Sequence, residues 1–219
     1  MKKKLVIMLV ALLALISAQA QGVIYLSNLD EPANGSVAVT VSPGIFAPFT
    51  TGANPEGYLL DSVQLLMDDS ESSVGFSIGI FGISSDPVPT PGAELGALNG
   101  SSNPSTAGIY IYTTSGITLL PDTVYFIGAR TRGTFYWSLA NSASYTSNDN
   151  WDYPLLIEGF PSYGFYYDGD GVTPIPYPLQ FAISATPIPE PQIYALLGLS
   201  LAYIGFRRFR RSIVFNTMA

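Results

Sequence analysis

Val74-Gly75-Phe76-Ser77-Ile78-Gly79-Ile80-Phe81-Gly82 sets large apolar side chains at 74, 76, 78 and 80 against glycine or serine at 75, 77 and 79. A period of two puts the large groups on one face of an extended chain, which predicts a β-strand with one packed face. Residues 59–67 repeat the pattern less cleanly, with Val63, Leu65 and Met67 on one side and Ser62 and Gln64 on the other. Residues 123–129 are apolar on both faces, as a central strand requires. Arg130-Thr131-Arg132-Gly133 reads as a turn into a second strand at 134–139, so the two are expected to form a hairpin. Further strands are expected at 23–27, 36–41, 108–114, 163–167 and 179–185.

Turn chemistry separates these segments. Asp86-Pro87, Thr90-Pro91-Gly92, Asn99-Gly100, Pro121-Asp122 and Asp168-Gly169 all favour reversals. No window between the termini carries a sustained 3.6-residue apolar period. Many short strands with frequent turns predict an all-β fold: one antiparallel β-sandwich or jelly-roll-like domain. It is expected to be flanked by an N-terminal signal-peptide helix and a C-terminal hydrophobic helix.

The ends are a different kind of sequence. Lys2, Lys3 and Lys4 precede an apolar run at 5–16, and Ala18-Gln19-Ala20 follows with small residues. That order is the pattern of a secretory signal peptide, with cleavage expected after Ala20 and Gln21 as the new N-terminus. At the other end Pro189-Glu190-Pro191 is followed by an apolar run at 193–206 and then by Arg207, Arg208, Arg210 and Arg211. As a helix that run would be about 21 Å long at 1.5 Å per residue. A bilayer core needs roughly 20 residues, so the run is short for a permanent anchor. The arginines would hold its end on the cytoplasmic side. The expected organisation is a signal peptide at 1–20, an exported domain at 21–186, a sorting tail at 187–211 and an extension at 212–219. The alternative reading of the tail is an ordinary single-span anchor.

Composition narrows the chemistry. Seven of the nine cations lie in the two end segments, so residues 21–190 keep only Arg130 and Arg132 against all 16 acidic residues, a net charge of −14. Such a surface repels nucleic acid and anionic lipid. There is no cysteine and no histidine. Disulfides, thiolate nucleophiles, zinc sites built on those residues and a Ser-His-Asp triad are all excluded. The missing imidazole weakens an enzyme reading without abolishing it, because paired carboxylates alone can hydrolyse glycosidic bonds. Asp152, Glu158, Asp168 and Asp170 are the acidic residues grouped with aromatics.

The C-terminal arrangement resembles the PEP-CTERM sorting signal of Gram-negative envelope proteins over about residues 187–211. The Pro-Glu-Pro motif, short helix and basic end are matched in order and spacing; the segment 212–219 departs from it, because such tails usually stop soon after the arginines. The resemblance implies recognition by an exosortase, an integral-membrane cysteine protease-transpeptidase. Partners would then be the secretion machinery, that exosortase and, transiently, the inner membrane. A second resemblance is to the choice-of-anchor R domain, over roughly residues 46–185. It rests on Phe49-Thr50-Thr51-Gly52, on 59–67, on 76–81, on Pro91-Gly92, and on Leu119, Thr123, Tyr125 and Phe126. This family implies a secreted β domain and assigns no catalytic residues.

Two groups could bind something. Phe135-Tyr136-Trp137, Trp151-Asp152-Tyr153 and Phe165-Tyr166-Tyr167 could stack on sugar rings if exposed, and large rings equally build cores. Trp151 beside Asp152 is the best candidate for a glycan contact, with Tyr153 and Trp137 next to it in rank. Asp168-Gly169-Asp170-Gly171 could offer hard oxygen ligands to Ca2+. The motif is truncated by Val172-Thr173-Pro174, and a solvated turn is the plainer reading. Asp68-Asp69-Ser70-Glu71 reads as another acidic turn. No cofactor is expected. The function expected is structural or adhesive, at the cell surface or in an exopolysaccharide-rich matrix such as a biofilm, and not enzymatic. The alternatives are an extracellular carbohydrate-binding module using exposed aromatics and a carboxylate-only glycoside hydrolase.

Overall fold

The computed structural model describes residues 22–40, 44–72, 75–84, 90–114, 116–153, 163–167 and 171–190. Ala18, Ala20 and Gln21, where signal cleavage is expected, lie outside these, as do Pro191 and Arg207, Arg208, Arg210 and Arg211. The described chain is all-β, with strands β1 (Val23–Ser27), β2 (Ala33–Val39), β3 (Gly44–Thr50), β4 (Tyr58–Ser72), β5 (Ser77–Ile83), β6 (Pro91–Leu98) and β7 (Gly108–Thr113). They continue with β8 (Thr118–Leu119), β9 (Val124–Arg130), β10 (Thr134–Ala140), β11 (Thr146–Ser147), β12 (Phe165–Tyr167), β13 (Val172–Pro174) and β14 (Phe181–Pro187). Among the described residues no helix is long and apolar enough to cross a membrane.

The strands form two antiparallel sheets. An eight-stranded sheet runs β11-β1-β14-β4-β10-β2, with β7 and β8 added on β4; a six-stranded sheet runs β13-β12-β3-β9-β5-β6. Their inner faces share one core, so the expected sandwich-like architecture holds. Period two explains the facing: Ile45, Ala47 and Phe49 of β3 and Tyr125, Ile127 and Ala129 of β9 are buried against Val63, Leu65 and Met67 of β4.

The irregularity expected at 59–67 has a cause. Ser184 pairs with Ser62 but Ala185 pairs with Leu60, leaving Asp61 as an extra residue on β4. This bulge shifts the inward positions from Tyr58 and Leu60 to Val63, Leu65 and Met67. The Asp61 carboxylate accepts a 2.8 Å bond from Thr186 Oγ1 on the neighbouring strand.

Several expectations are corrected. Residues 130–133 do not close a hairpin, because β9 belongs to the six-stranded sheet and β10 to the eight-stranded one. Both edges of β9 are occupied by β3 and β5, and both edges of β10 by β2 and β4. The Arg130–Gly133 segment therefore crosses between layers, braced by a 2.9 Å bond from Gly133 N to Thr131 Oγ1. The strand expected from position 74 begins at Ser77; Gly75 has φ +83°, and Phe76 enters the core ahead of the strand. Asp68-Asp69-Ser70-Glu71 is no turn: it continues β4, where Asp68 pairs with Tyr136 of β10.

Strand β3 went unforeseen because Pro48 sits in its middle, and proline lacks the ladder donor. Thr50 N and O bond Asp152 on the side away from β9, so the even-numbered positions of β3 point that way. On that side, among the described residues, β12 pairs with Gly44, Ile45 and Phe46, and no described strand calls on an N–H from Pro48. The short strands β8, β11 and β13 and the edge strand β6 were likewise unforeseen.

A second apolar cluster lies on the outer face of the six-stranded sheet. Phe46, Phe81, Phe126 and Phe165 pack together there, all buried. Gly128 sits beneath two of the rings: a Cβ at that position would lie 2.5 Å from Phe81 and 2.6 Å from Phe46. The Arg130 guanidinium stands 4.9 Å from the Phe81 ring centroid.

Candidate functional site

The site singled out by sequence is the neighbourhood of Trp151, at the end of the sandwich where β1, β3 and β4 converge. Asp149 and Asn150 have φ of +54° and +58°, a left-handed turn that short polar side chains tolerate. Trp151 N closes it with a 3.1 Å bond to Asn148 O, and the turn delivers the indole inward. The partner of the turn is Gly52, where a Cβ would come within 1.8 Å of Asp149 O. Only glycine lets the loop settle there.

Trp151 is 1% exposed. Its ring stacks on Phe49 at 5.9 Å and 6°, tilts over Tyr25 at 5.1 Å and meets Tyr58 edge-on at 5.1 Å. The Tyr58 hydroxyl donates to the Asp149 carboxylate and accepts a 3.2 Å bond from Asn54 N. Burial, then the bond to Asp149, pushes the Tyr58 phenol upward from its ordinary value. Burial does the same to Tyr25, reinforced by the charges of Asp149 and Asp61. The Trp151 indole N–H is buried without a hydrogen bond of good geometry, although it is close enough to the Tyr58 hydroxyl to favour that group's ionised form.

The other candidates divide. Trp137 is fully buried, its Nε1 donating a 2.8 Å bond to Gln180 O. Gln180 in turn is held by Ser138 Oγ at 2.7 Å and reaches the carbonyls of Asn28 and Glu31. Every polar atom in that knot has a partner, as a buried polar group needs. Tyr153 is buried too; it stacks on Tyr163, donates its hydroxyl to Tyr163 O and is pushed far upward by burial. None of Trp137, Trp151 and Tyr153 presents a ring face to solvent, so these rings build the core and are not placed to stack on a sugar.

Asp152 alone of that set is exposed. Its carboxylate accepts the Tyr145 hydroxyl, and this bond is the first cause of the raised Tyr145 phenol. Its backbone pairs with Thr50. Asp168, Asp170 and Glu158 lie outside the described residues. Among the described residues no three Asp, Glu, His or Cys side chains gather closely enough to hold a metal ion.

The chemistry of the arrangement is that of a tie. Phenols donate to Asp149 and Asp152: Tyr58 ties Asp149 to a remote strand, and Tyr145 ties Asp152 within the same loop. Gly52, Tyr25, Tyr58 and Asp149 were not foreseen as a group. Asn148-Asp149-Asn150 carries a visible turn signal, but the glycine and the two tyrosines it meets are remote in sequence.

Comparison with protein-family profiles, with curated proteins and with solved structures finds no match to this chain.

Proposed function

We propose that this is an exported, non-catalytic protein of the cell surface or extracellular matrix, sorted by an exosortase and serving a structural or adhesive role. The observation that carries the reading is the pairing of termini. A signal-peptide pattern at 1–20 is matched by Pro189-Glu190-Pro191, an apolar run and four arginines at the other end. The Pro-Glu-Pro motif begins directly after the last strand: β14 ends at Pro187, Ile188 N still bonds Gly57 O at 3.0 Å, and Pro189 and Glu190 are exposed. A membrane protease could reach a motif presented in this way without unfolding the sheet.

The absence of histidine and cysteine, and the burial of Trp137, Trp151 and Tyr153 in the core, favour a structural role over a catalytic or sugar-stacking one. The strong negative charge of the exported portion suits a hydrated, polysaccharide-rich setting over an anionic lipid surface. The test is the intact mass and C-terminal peptide of the protein recovered from native envelope and medium. A mature C-terminus near Pro189-Glu190-Pro191 is expected. A chain that still ends at Ala219, or that is found in the cytoplasm, would overturn the sorting proposal.

A further inference from the structure

Strand β14 delivers the chain to the Pro-Glu-Pro motif at a fixed place. At its end Thr186 pairs with Leu59 and Pro187 with Tyr58, and across β4 those two residues pair with Thr118 and Leu119 of β8. The next row continues the pattern. Ile188 N donates a 3.0 Å bond to Gly57 O, and Asn54 Nδ2 donates a 3.2 Å bond to Ile188 O. Gly57 has φ +79°, and a Cβ there would lie 2.2 Å from Leu119 O and 3.5 Å from Leu120 Cα. Ile188, Gly57 and Leu120 therefore stand side by side. The fold holds the chain as far as Ile188, and the motif starts at the next residue.

Exposed apolar side chains gather around this exit. Among the described residues nine large ones are exposed, and four of them are Val23 at 50%, Ile24 at 44%, Leu59 at 41% and Leu120 at 59%. The ladders fix where they stand. On the β1 side Val23 is opposite Ala185 and Ile24 opposite Ser184; on the β4 side Leu59 is opposite Thr186, and Leu120 lies against Gly57. Single exposed apolar residues are ordinary, whereas four flanking the end of one strand form a collar.

We propose that this collar is the surface on which the sorting protease docks, so that the enzyme reads part of the folded domain together with the motif. The inference rests on the sorting reading given above. The length of chain beyond the fold argues for it. Only residues 189–192 separate Ile188 from the apolar run at 193–206, and at about 3.6 Å per residue they span no more than about 14 Å. A protease that closes around residues 189–191 has to meet whatever surrounds Ile188. Valine, isoleucine and leucine side chains gain from losing water in that contact, where unpaired polar groups would lose. Charge argues against lipid as the occupant. Glu56 in the turn, Asp61 bonded to Thr186, and Asp122, whose N bonds Gly52 O at 3.0 Å, all stand at this end of a domain of net charge −14. An anionic bilayer repels them, and a second copy would bring the same charges.

Two measurements on the full-length chain in its native host test this. The first places the photo-crosslinking residue p-benzoylphenylalanine at Leu59, at Leu120 or at Ile109, beside an exosortase whose nucleophilic cysteine is replaced by alanine so that the complex persists. Ile109 is 54% exposed and pairs with Leu66 further along β4, so it serves as the control. Crosslinks to the exosortase are expected from positions 59 and 120 and not from 109. Crosslinks from 59 and 120 to lipid or to a second copy alone, no crosslinks, or an equal yield from 109 would each overturn the proposal. The second measurement follows loss of the tail by pulse-chase in wild type, in the double variant Leu59→Ser, Leu120→Ser and in the double variant Ile109→Ser, Ile111→Ser. The leucine pair is expected to slow processing at least about tenfold, a shift of 1.4 kcal/mol, and the isoleucine pair to leave it unchanged. Circular dichroism shows that both variants keep the fold. Equal processing of all three chains overturns the docking surface and leaves sorting intact; a wild-type chain that keeps Ala219 overturns both.

Discussion

The inner aromatic nest around Trp151 and the outer phenylalanine cluster around Phe126 are both fully buried groups of rings, yet they are built on opposite principles. The inner nest mixes Trp151, Tyr25 and Tyr58 with Phe49, and the Tyr58 hydroxyl is tied to the Asp149 loop. The outer cluster joins four phenylalanines, with a guanidinium laid over one ring and a glycine beneath two of them. A ring with a hydroxyl can be placed by one directed bond, so the nest fixes a loop in one position. Rings without polar atoms are placed by shape alone, so the outer cluster depends on Gly128 leaving room.

The largest effect is expected at the nest. Trp151→Ala should cost about 3–5 kcal/mol in urea unfolding, as large aromatic deletions in cores do. Trp151→Phe should cost much less, because it keeps most of the ring volume and removes an indole N–H that has no good partner. A loss below about 1 kcal/mol for the alanine variant would mean that the nest is not core.

The outer cluster is more sensitive to added volume. Gly128→Ala should destabilise by about 1–3 kcal/mol in the same assay, since the new methyl must push Phe81 and Phe46 aside. An unchanged unfolding midpoint would show that the two rings move freely, and the contrast between directed and shape-based placement would fail.

The mildest test is alkali, which should act on the nest and leave the four phenylalanines untouched. Tyr25 and Tyr58 have phenols raised above the ordinary 10.0, so the unfolded chain loses those protons first as pH rises. Their contribution to stability is fully present below pH 10 and declines above it, as the raised folded values are approached. Ultraviolet titration should show delayed phenolate formation in the folded protein. Titration of all fourteen tyrosines as one group at the ordinary value would contradict the burial of these hydroxyls.

Much of the sheet structure was legible because alternation is local. Strand β1 stands where 23–27 was expected, and β7, β9, β10 and β14 fall close to their expected ranges. The failures have physical reasons. Pro48 masked β3, because tolerance of a missing donor depends on where the neighbouring strand ends. Arg130–Gly133 looked like a hairpin turn, because turn chemistry reports a reversal and says nothing about which sheet receives the next strand. The Asp68–Glu71 run looked like a turn, because charge on an exposed strand face and charge in a loop read alike.

What the chain's order of residues determined unaided was the class of fold, the absence of thiol and imidazole chemistry, and the contrast between an acidic interior and cationic ends. Composition and period two suffice for these, since they depend on residue type and near neighbours. Which aromatics are buried and which strand shares which sheet were decided only by folding. Those outcomes come from contacts between residues such as Gly52 and Asp149, or Thr113 and Asn99, whose meeting depends on the packing of the whole molecule.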